Sequence, residues 1–298
     1  MKKFDFYNPE SLEEAVEFLN REKSNAKLIA GGTDLVLELN DKKVEAKSII
    51  NIKNLEELKY IKEDEDIIRI GAGKTFTKIA ENDLIKNNAK ALAQACSKIG
   101  STQVRNAGTP AGNIVTGSAC ADSVSALVAL DAVLVLKSKE GQREVKVEDF
   151  YNENPKQDFD GCYINLAGIK EDEIMTEIYF KKTKENEFSA FRKLGRRRAL
   201  AKSILTVGMV IEFDENDKAK RPRIALGAVG RHAYHVESAE DILKGKELTE
   251  DNINKCLEEI SNVVLCNIGN RASCPYKKES IKGVAKEVIN SIIEQGKK

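Results

Sequence analysis

The chain has 298 residues, of which 41% are hydrophobic and 32% charged, so it can bury the core of one large domain or of two. Its 48 Lys and Arg residues balance its 48 Asp and Glu residues, which argues against binding nucleic acid or an anionic membrane surface through net charge. No apolar run is long enough to span a bilayer, and the opening residues lack the apolar core of a signal peptide. We therefore expect a protein of the cytoplasm, with no nucleic-acid partner and no membrane span.

The six cysteines do not occur in the pairs that metal centres need. They stand at positions 96, 120, 162, 256, 266 and 274, and the closest two are Cys266 and Cys274. Structural zinc and iron–sulfur clusters are usually held by tightly spaced ligand pairs. The two histidines, His232 and His235, are too few for a metal site. We expect no metal on this chain and interpret most of the thiols as small buried residues.

The first candidate ligand site follows a short strand near the N-terminus. Ser11 and Glu14 have the spacing of a capping box, which predicts a helix start at this point. A short apolar run at residues 28–30 predicts a buried strand, and it ends in the small-residue segment Gly-Gly-Thr-Asp-Leu at residues 31–35. Taken alone, this segment is best explained as a tight turn.

The segment Gly-Ala-Gly-Lys at residues 71–74 has only part of a dinucleotide-binding pattern. The third glycine of a Rossmann fingerprint would fall at position 76, which is Phe76. The pattern G-x-x-x-x-G-K-[ST] does not occur either. Neither a Rossmann domain nor a P-loop kinase or ATPase is predicted.

A second small-residue segment lies in the middle of the chain, between two helical patterns. Residues 108–113 read Gly-Thr-Pro-Ala-Gly-Asn, and Asp122 then precedes an apolar run at the position of a helix N-cap. Because glycine has no Cβ and free amides bind anions, the segment suits a phosphate-bearing ligand. A plain turn followed by a capped helix explains the same residues equally well.

The pattern changes in the C-terminal part of the chain. Long strands are predicted at residues 173–182, 204–213 and 224–229, and two amphipathic helices follow. Between the first two strands lies the segment 188–198, whose basic triplet Arg196, Arg197 and Arg198 is best explained as a solvated face. The change from alternating elements to strands and then helices predicts a domain boundary near residues 170–180.

These segments together resemble the FAD-binding subunit of the xanthine dehydrogenase family, to which carbon monoxide and nicotinate dehydrogenase flavin subunits belong. The resemblance rests on LIAGGTDL at residues 28–35, TPAGN at 109–113 and Asp122 before an apolar helix, and it runs over nearly the whole chain. It implies an α+β fold with a two-lobed FAD-binding domain of the vanillyl-alcohol-oxidase (PCMH) type over residues 1–175, its lobes at about 1–55 and 56–175. A smaller C-terminal α+β domain of the CO dehydrogenase flavoprotein type, with a three-stranded antiparallel sheet and helices, would cover residues 176–298.

The resemblance also implies the cofactor and its contacts. FAD would be bound without a covalent link, its diphosphate held mainly by backbone amides, and Asp122 would accept a hydrogen bond from the polar part of the flavin. In the second segment, Pro110 and Ala111 replace the middle residues of the family pattern T-(I/V)-G-G-N. The implied FAD-contacting residues are Leu28, Ile29, Ala30, Gly31, Gly32, Thr33, Asp34, Leu35, Ile99, Thr109, Pro110, Ala111, Gly112, Asn113, Asp122, Ile174 and Lys193.

The function implied by the resemblance is electron transfer in a molybdenum hydroxylase. A molybdopterin-binding subunit and a subunit with two [2Fe–2S] clusters would be the partners, and electrons would leave through FAD to NAD⁺ or another acceptor. No side chain of this chain would act as a catalytic acid, base or nucleophile, because the flavin carries the chemistry. Two alternatives stay open: a free-standing FAD-dependent oxidase or reductase, and a nucleotide-binding module without a redox role.

Overall fold

The fold is built on three separate β-sheets, which helices connect and cover. The computed structural model describes residues 3–152, 168–197 and 200–297. In chain order the sheets have three, five and four strands. The predicted α+β class is therefore confirmed.

The first lobe is a small parallel sheet covered by an amphipathic helix. Its elements are β1 (Asp5–Tyr7), α1 (Leu12–Glu22), β2 (Ala26–Ile29), α2 (Leu35–Asn40) and β3 (Ser48–Asn51), with short 3-10 turns at Lys23–Asn25 and Glu56–Leu58. Strand β3 lies between β1 and β2 and is parallel to both. Ser11 Oγ accepts a hydrogen bond from the amide of Glu14 at 3.1 Å, which confirms the predicted helix start. The apolar side of α1, with Leu12 and Val16, packs in one cluster with Ile50 of β3.

The second lobe is an antiparallel five-stranded sheet with a group of short helices. Its strands are β4 (Ile61–Asp64), β5 (Ile67–Gly71), β6 (Val133–Ser138), β7 (Gly141–Lys146) and β8 (Ile174–Lys181), in the order β4-β5-β8-β6-β7. Its helices are α3 (Phe76–Glu81), α4 (Asp83–Asn88), α5 (Lys90–Lys98), α6 (Thr102–Ala107), α7 (Pro110–Thr116), α8 (Asp122–Ala129) and α9 (Val147–Asn152). Every residue of α8 is buried, because α5 and α7 pack on it from one side and the C-terminal part of the chain from the other.

The C-terminal part is an antiparallel sheet covered by two long helices. Its elements are β9 (Glu187–Gly195), β10 (Ser203–Phe213), β11 (Ala219–Gly227), β12 (Tyr234–His235), α10 (Glu237–Leu243), α11 (Glu250–Ile268) and α12 (Cys274–Gly296). The strand order is β12-β11-β10-β9, and each neighbouring pair is antiparallel. Three long strands with helices agree with the predicted C-terminal fold, and β12 adds a two-residue fourth strand at the edge.

The strand predicted at residues 173–182 does not belong to the C-terminal sheet. It is β8, which hydrogen-bonds to β5 and β6 of the second lobe. The segment predicted to lie between strands, residues 188–198, instead forms most of β9. Strand β8 is buried along nearly its whole length, and such a pattern does not show which of two sheets a strand joins. The division at residue 175 stays a prediction, and that position lies within β8.

Some predicted features concern residues that the structure does not describe. The polar, proline-containing stretch over residues 151–161 predicts a loop, but its first two residues, Tyr151 and Asn152, still belong to α9. The rest of that segment, with Pro155, lies outside the described residues, as do Cys162 and Arg198. In the described ranges, no helix is both long and apolar enough to cross a membrane.

Helix α8 packs closely on the C-terminal sheet, because a strand position that faces it, Gly208, has no side chain. A Cβ at Gly208 of β10 would lie 2.7 Å from the carbonyl oxygen of Ser125, closer than real Cβ atoms come. At Gly227 of β11 it would lie 2.4 Å from Thr206 Oγ1 and 3.4 Å from Ser125 Cβ. The hydroxyls of Ser125 and Thr206 are hydrogen-bonded at 3.0 Å. The second lobe and the C-terminal sheet therefore share a tight, partly polar interface.

A partly buried ion-pair network extends this interface at the end of α8. The carboxylate of Asp131 lies 3.0 Å from Arg223 Nη1 and 3.5 Å from His235 Nε2, and Glu240 Oε1 lies 2.8 Å from the other ring nitrogen, Nδ1. Burial disfavours charge on His235, but hydrogen bonds to Asp131 and Glu240 outweigh it and raise the pKa of His235 to about 10. His235 is therefore an imidazolium at neutral pH and joins the second lobe to the C-terminal part.

Candidate cofactor-binding site

The segment between β2 and α2 presents a run of backbone amides without a protein acceptor. Within the described residues, no hydrogen bond is donated by the amides of Gly31, Gly32, Thr33 and Asp34. Gly32 has φ +69°, a left-handed backbone that favours glycine. The amide of Val36 donates to the carbonyl of Gly32 at 3.2 Å and turns the chain into α2. Successive amides around a left-handed residue form a concave set of donors that suits an anion.

The second segment is not the open loop expected from its small residues, because it begins α7. Thr109 is the N-cap, and its Oγ1 accepts from the amide of Gly112 at 3.0 Å. Pro110 occupies the first turn, where a missing amide hydrogen is tolerated. The backbone of Gly112 is helical with no positive φ. Outside the helix backbone, only Thr109 Oγ1, at 3.2 Å, lies near the position of a Cβ there. Gly112 therefore leaves open space on an exposed helix surface.

The two segments lie against each other at Gly31. A Cβ at this position would lie 2.2 Å from the carbonyl oxygen of Ala107 and 2.7 Å from the Cα of Gly108. These two residues end α6 and directly precede Thr109. The sequence separates the segments by more than seventy residues, and the fold brings their backbones into contact because Gly31 carries no side chain.

Asp122 was expected to cap α8, but it is the first helical residue and Ala121 is the N-cap. Its carboxylate points instead towards the C-terminal sheet. Oδ2 lies 2.6 Å from Nζ of Lys193 on β9, and Oδ1 accepts a hydrogen bond from the hydroxyl of Ser203 on β10. Burial raises the pKa of Asp122, while the charge of Lys193 and the hydrogen bonds of both partners act in the opposite direction. The carboxylate is thus a buried acceptor with two donors from the C-terminal part.

Lys193 finds all its acceptors within the protein. Its Nζ donates to Asp122, to the carbonyl of Lys98 at 3.0 Å and to the carbonyl of Ala201 at 3.1 Å. An ammonium group has three protons, so none is left for a further acceptor. Ile99, another predicted contact, follows Lys98 directly at the end of α5 and is half-buried. Lys193 therefore fastens α5, α8 and the β9–β10 connection to one point.

Asp34 links the first segment to the β9–β10 connection through the charge of Lys202. Burial raises the pKa of its carboxyl, which is opposed by a hydrogen bond from Thr33 and by the positive charge of Lys202. Lys202 directly precedes Ser203, the hydrogen-bond partner of Asp122. The first segment, the second segment and the Asp122 network therefore lie around one region of the molecule.

The remaining predicted residues lie beneath or beside these segments. Leu28 and Ala30 pack against the apolar cluster of the first lobe, in which the side chain of Ile174 is completely buried. The side chain of Ile29 lies over Gly32, with Cδ1 3.1 Å from the position of a Cβ there. Half-buried or buried positions are also taken by Leu35, Pro110, Ala111 and Asn113. Ile174 thus supports the first segment from below and offers no exposed side-chain surface.

Sequence reasoning missed Ser203 and Lys202. Ser203 lies 81 residues from its partner Asp122, and a single hydroxyl at the start of a strand carries no pattern that would point to it. Lys202 stands near three arginines that were interpreted as a solvated face. Only the packing of the C-terminal sheet on α8 brings Ser203 beside Asp122.

The cysteines are scattered through the fold. Cys96, Cys256 and Cys274 are buried, as predicted for most of them, whereas Cys120 is half-buried and Cys266 is exposed. In the described part of the chain, no three His, Cys, Asp or Glu side chains are grouped so that they could hold a metal ion.

The donors and acceptors of this region fit a flavin dinucleotide. Four adjacent amides that have no acceptor among the described residues match the needs of a diphosphate. The Asp122 carboxylate can accept about four hydrogen bonds and uses two within the protein, so acceptor capacity remains for a polar flavin edge. Small residues at Gly31 and Gly112 keep side chains out of the space next to both segments.

Comparison with known proteins agrees with this geometry. A family model described as the FAD binding domain in molybdopterin dehydrogenase matches residues 2–180, and one described as the CO dehydrogenase flavoprotein C-terminal domain matches residues 189–292. The nicotinate dehydrogenase FAD-subunit of Eubacterium barkeri is 39% identical over 297 residues, covering 99% of this chain and 98% of that protein. The xanthine dehydrogenase FAD-binding subunit of Escherichia coli O157:H7 is 29% identical, with 97% of both chains covered.

A solved structure shows the same fold. Carbon monoxide dehydrogenase from Hydrogenophaga pseudoflava, in a form that lacks the Mo-pyranopterin moiety of the molybdenum cofactor, contains a chain that superposes with a TM-score of 0.87. It is 27% identical, and 98% of each chain is covered. The match includes both the two-lobed part and the C-terminal part.

The fold and the family match define an FAD-binding protein. This chain belongs to the family of FAD-binding subunits of molybdopterin dehydrogenases, which includes the nicotinate, xanthine and carbon monoxide dehydrogenases. It is an oxidoreductase subunit, and FAD is its cofactor.

Proposed function

We propose that this chain transfers electrons within a molybdenum hydroxylase, receiving them from [2Fe–2S] clusters of a partner subunit and passing them through FAD to NAD⁺ or another acceptor. The observation that carries this proposal is the run of four amides at residues 31–34, which have no acceptor in the described protein. FAD, when bound, supplies the redox chemistry. The residues of this chain bind and orient it.

In this proposal the first segment holds the diphosphate through neutral donors. The amides of Gly31 to Asp34 lie on either side of the left-handed Gly32, and the segment itself contains no Lys or Arg. Preformed amide donors satisfy an anion without a mobile side chain that must first be ordered. Leu28, Ile29 and Ala30 set the position of this segment through β2 and its packing, and Leu35 continues it into α2.

The second segment contributes space more than donors. Pro110 has no amide hydrogen, and the amide of Gly112 is already bound by Thr109 Oγ1 at 3.0 Å. Exposed Gly112 leaves room for a ligand group next to α7, and the amide side chain of Asn113 is held at 2.8 Å by Ser123 on α8. We infer that Thr109 to Asn113 shape the side of the site opposite the first segment.

Asp122 accepts a hydrogen bond from the polar edge of the flavin in this proposal, and Lys193 acts through Asp122. The three protons of Lys193 already have acceptors in the protein, so its part is to keep the carboxylate in place. Ile99 lies at the same end of α5, and Ile174 packs below the first segment. No residue of the chain serves as a catalytic acid, base or nucleophile.

A molybdopterin-binding subunit and a [2Fe–2S] subunit are the proposed partners. Support comes from the names of relatives: one is an FAD-subunit of nicotinate dehydrogenase, and another is the medium chain of carbon monoxide dehydrogenase from Hydrogenophaga pseudoflava. Names of this kind describe one chain of a larger enzyme. The cytoplasmic location inferred from the sequence stays a prediction.

The cofactor assignment is tested first on the purified full chain. Acid precipitation should release a yellow supernatant that runs as FAD on chromatography, because no covalent link is expected. Flavin that stays in the pellet contradicts non-covalent binding, and flavin that runs as FMN contradicts the diphosphate site.

The electron-transfer role is tested by stopped-flow reduction of the bound flavin. The isolated chain should be reduced by NADH and pass electrons to an artificial dye, but xanthine, hypoxanthine and nicotinate should leave it oxidised. Adding the molybdenum and [2Fe–2S] subunits should couple oxidation of a heterocycle to NAD⁺ reduction. Direct reduction of the isolated chain by a heterocycle would instead favour a free-standing flavoenzyme. A chain without redox-active flavin would favour a nucleotide-binding module.

A further inference from the structure

Ser203 is placed to control the carboxylate of Asp122. It is the first residue of β10, and its hydroxyl donates to Oδ1 of Asp122 across the interface between the C-terminal sheet and α8. Both residues are only 6% exposed. A hydrogen bond to a charged group in such a buried place has a larger effect than a bond between neutral groups.

The two oxygens of the carboxylate have different partners. Lys193 Nζ lies 2.6 Å from Oδ2, while Oδ1 depends on Ser203 for its donor. Lys193 is itself fixed by the carbonyls of Lys98 and Ala201. With one donor on each oxygen, the plane of the carboxylate is defined. Without the hydroxyl, the donors that remain among the described residues hold the carboxylate at one oxygen only, and it can rotate about the Cβ–Cγ bond.

The surroundings of Asp122 make its charge dependent on these donors. Burial raises its pKa, and the opposing contributions come from Lys193 on β9 and Ser203 on β10. The thiol of Cys96 on α5 also faces this carboxylate, and its own pKa is raised by burial and then by the charge of Asp122. Loss of the Ser203 hydroxyl therefore favours the protonated carboxyl, which is a poorer acceptor.

We propose that Ser203 is a positioning residue for the cofactor: its hydroxyl orients the Asp122 carboxylate so that the free acceptor sites of that carboxylate point towards bound FAD. The proposal rests on the proposed contact between Asp122 and FAD. It makes the C-terminal part a contributor to the cofactor site, because Ser203 lies on the C-terminal sheet.

The test is FAD affinity of the full chain between about pH 5 and about pH 9, measured by flavin fluorescence after removal and return of the cofactor. Ser203→Ala should weaken binding about tenfold near neutral pH and should move the fall in affinity at acid pH upward by about one unit. Ser203→Thr keeps the hydroxyl and should restore the parent profile. Ser261→Ala is the matched control, because it removes another buried hydroxyl donor, to the carbonyl of Lys278 between α11 and α12.

Two results would overturn the inference. One is a Ser203→Ala profile that coincides with that of the parent. The other is a loss of affinity that does not depend on pH and that Ser203→Thr does not restore. If this loss also parallels a lower melting temperature of the chain without FAD, the role of Ser203 is structural only. Asp122→Asn tests the proposed Asp122–FAD contact separately from the role of Ser203. If this variant binds FAD like the parent, the proposed contact itself is wrong. If it binds weakly while Ser203→Ala binds normally, only the role of Ser203 is wrong.

Discussion

Two polar regions of the site are built in opposite ways. Between β2 and α2, four adjacent amides have no acceptor in the described protein. At Asp122, by contrast, every proton of Lys193 has a protein acceptor and each carboxylate oxygen has a donor. The first region offers donors that only a ligand would use. The second region is a joint between the second lobe and the C-terminal sheet, in which the Lys193 ammonium group is saturated while the Asp122 carboxylate keeps free acceptor sites. In the proposed site, the amides and Asp122 bind the cofactor directly, whereas Lys193 and Ser203 hold Asp122 in place.

The free amides and the Asp122–Lys193 ion pair also differ in what a substitution costs in free energy. Amides that bind an anion are neutral, so presenting them to solvent before the ligand arrives costs little. A buried ion pair has lost its hydration, and removing one partner leaves an uncompensated charge. We therefore expect substitutions at the joint to act first on stability and substitutions in the segments to act first on FAD binding.

The largest effect is expected for Asp122→Ala. Lys193 would keep its charge in a buried place without a carboxylate, so the free energy of unfolding of the chain without FAD should fall by about 3–5 kcal/mol. Urea unfolding followed by circular dichroism measures this change. The double variant Asp122→Leu with Lys193→Met removes both charges and should recover a large part of the loss. An equal loss in the double variant would show that the charge imbalance is not the cause.

Gly31→Ala should reduce both stability and FAD affinity. The new Cβ would lie 2.2 Å from the backbone oxygen of Ala107, so the two segments must move apart. Forced overpacking of this kind costs about 1–3 kcal/mol, and we expect at least about a tenfold loss of FAD affinity. Gly283→Ala is the control, because outside the backbone of α12 no described residue lies within 4 Å of a Cβ at that position. Parent-like FAD affinity in Gly31→Ala would contradict a shared site of the two segments.

The ion-pair network at Asp131 predicts how stability depends on pH. The pKa of His235 is raised to about 10 in the folded chain, so its stabilising contribution is fully present below the unfolded value near 6.5 and is lost as pH rises through about 10. Between about pH 7 and about pH 9 the parent should lose roughly 2 kcal/mol through this group. His235→Gln should lack this part of the decline, whereas His232→Gln should retain it. Parallel curves for the parent and His235→Gln would show that His235 is not the group responsible.

The sequence was most informative where a local pattern determined the structure. The apolar run at residues 28–30 and the glycines after it were enough to predict β2 and the turn that follows it, and Ser11 was enough to locate the start of α1. Contacts between residues far apart in the sequence could not be predicted from local patterns. Burial along β8 did not show that it joins the second lobe, and nothing local linked Asp122 to Ser203.

For Asp122, the sequence predicted the start of α8 to within one residue but assigned the wrong role to the side chain. An aspartate before an apolar helix is a typical N-cap, and the prediction placed the residue within one position of the helix start. The carboxylate turns away because a buried ammonium group from β9 is a stronger partner than a backbone amide. The identity of that partner depends on the packing of the C-terminal sheet, which no local pattern contains.

The smallest change in stability is expected at Gly112, where it separates the two regions most clearly. Gly112 has helical backbone, is exposed, and apart from Thr109 Oγ1 at 3.2 Å has open space at the position of a Cβ. Alanine is favoured over glycine within a helix, so Gly112→Ala should raise the free energy of unfolding of the chain without FAD by about 0.5–1 kcal/mol. FAD affinity should nevertheless fall about tenfold, because the methyl group takes space that the ligand uses, and Gly112→Val should lower it further.

Opposite signs for stability and affinity distinguish a ligand contact from a fold contact at Gly112. Thermal melting with and without added FAD measures both in one experiment. Gly283→Ala, a second helical glycine with open surroundings, should gain stability without any change in FAD affinity. If Gly112→Ala and Gly112→Val both bind FAD like the parent, the second segment does not line the cofactor site. The first segment and Asp122 would then have to bind the flavin without it.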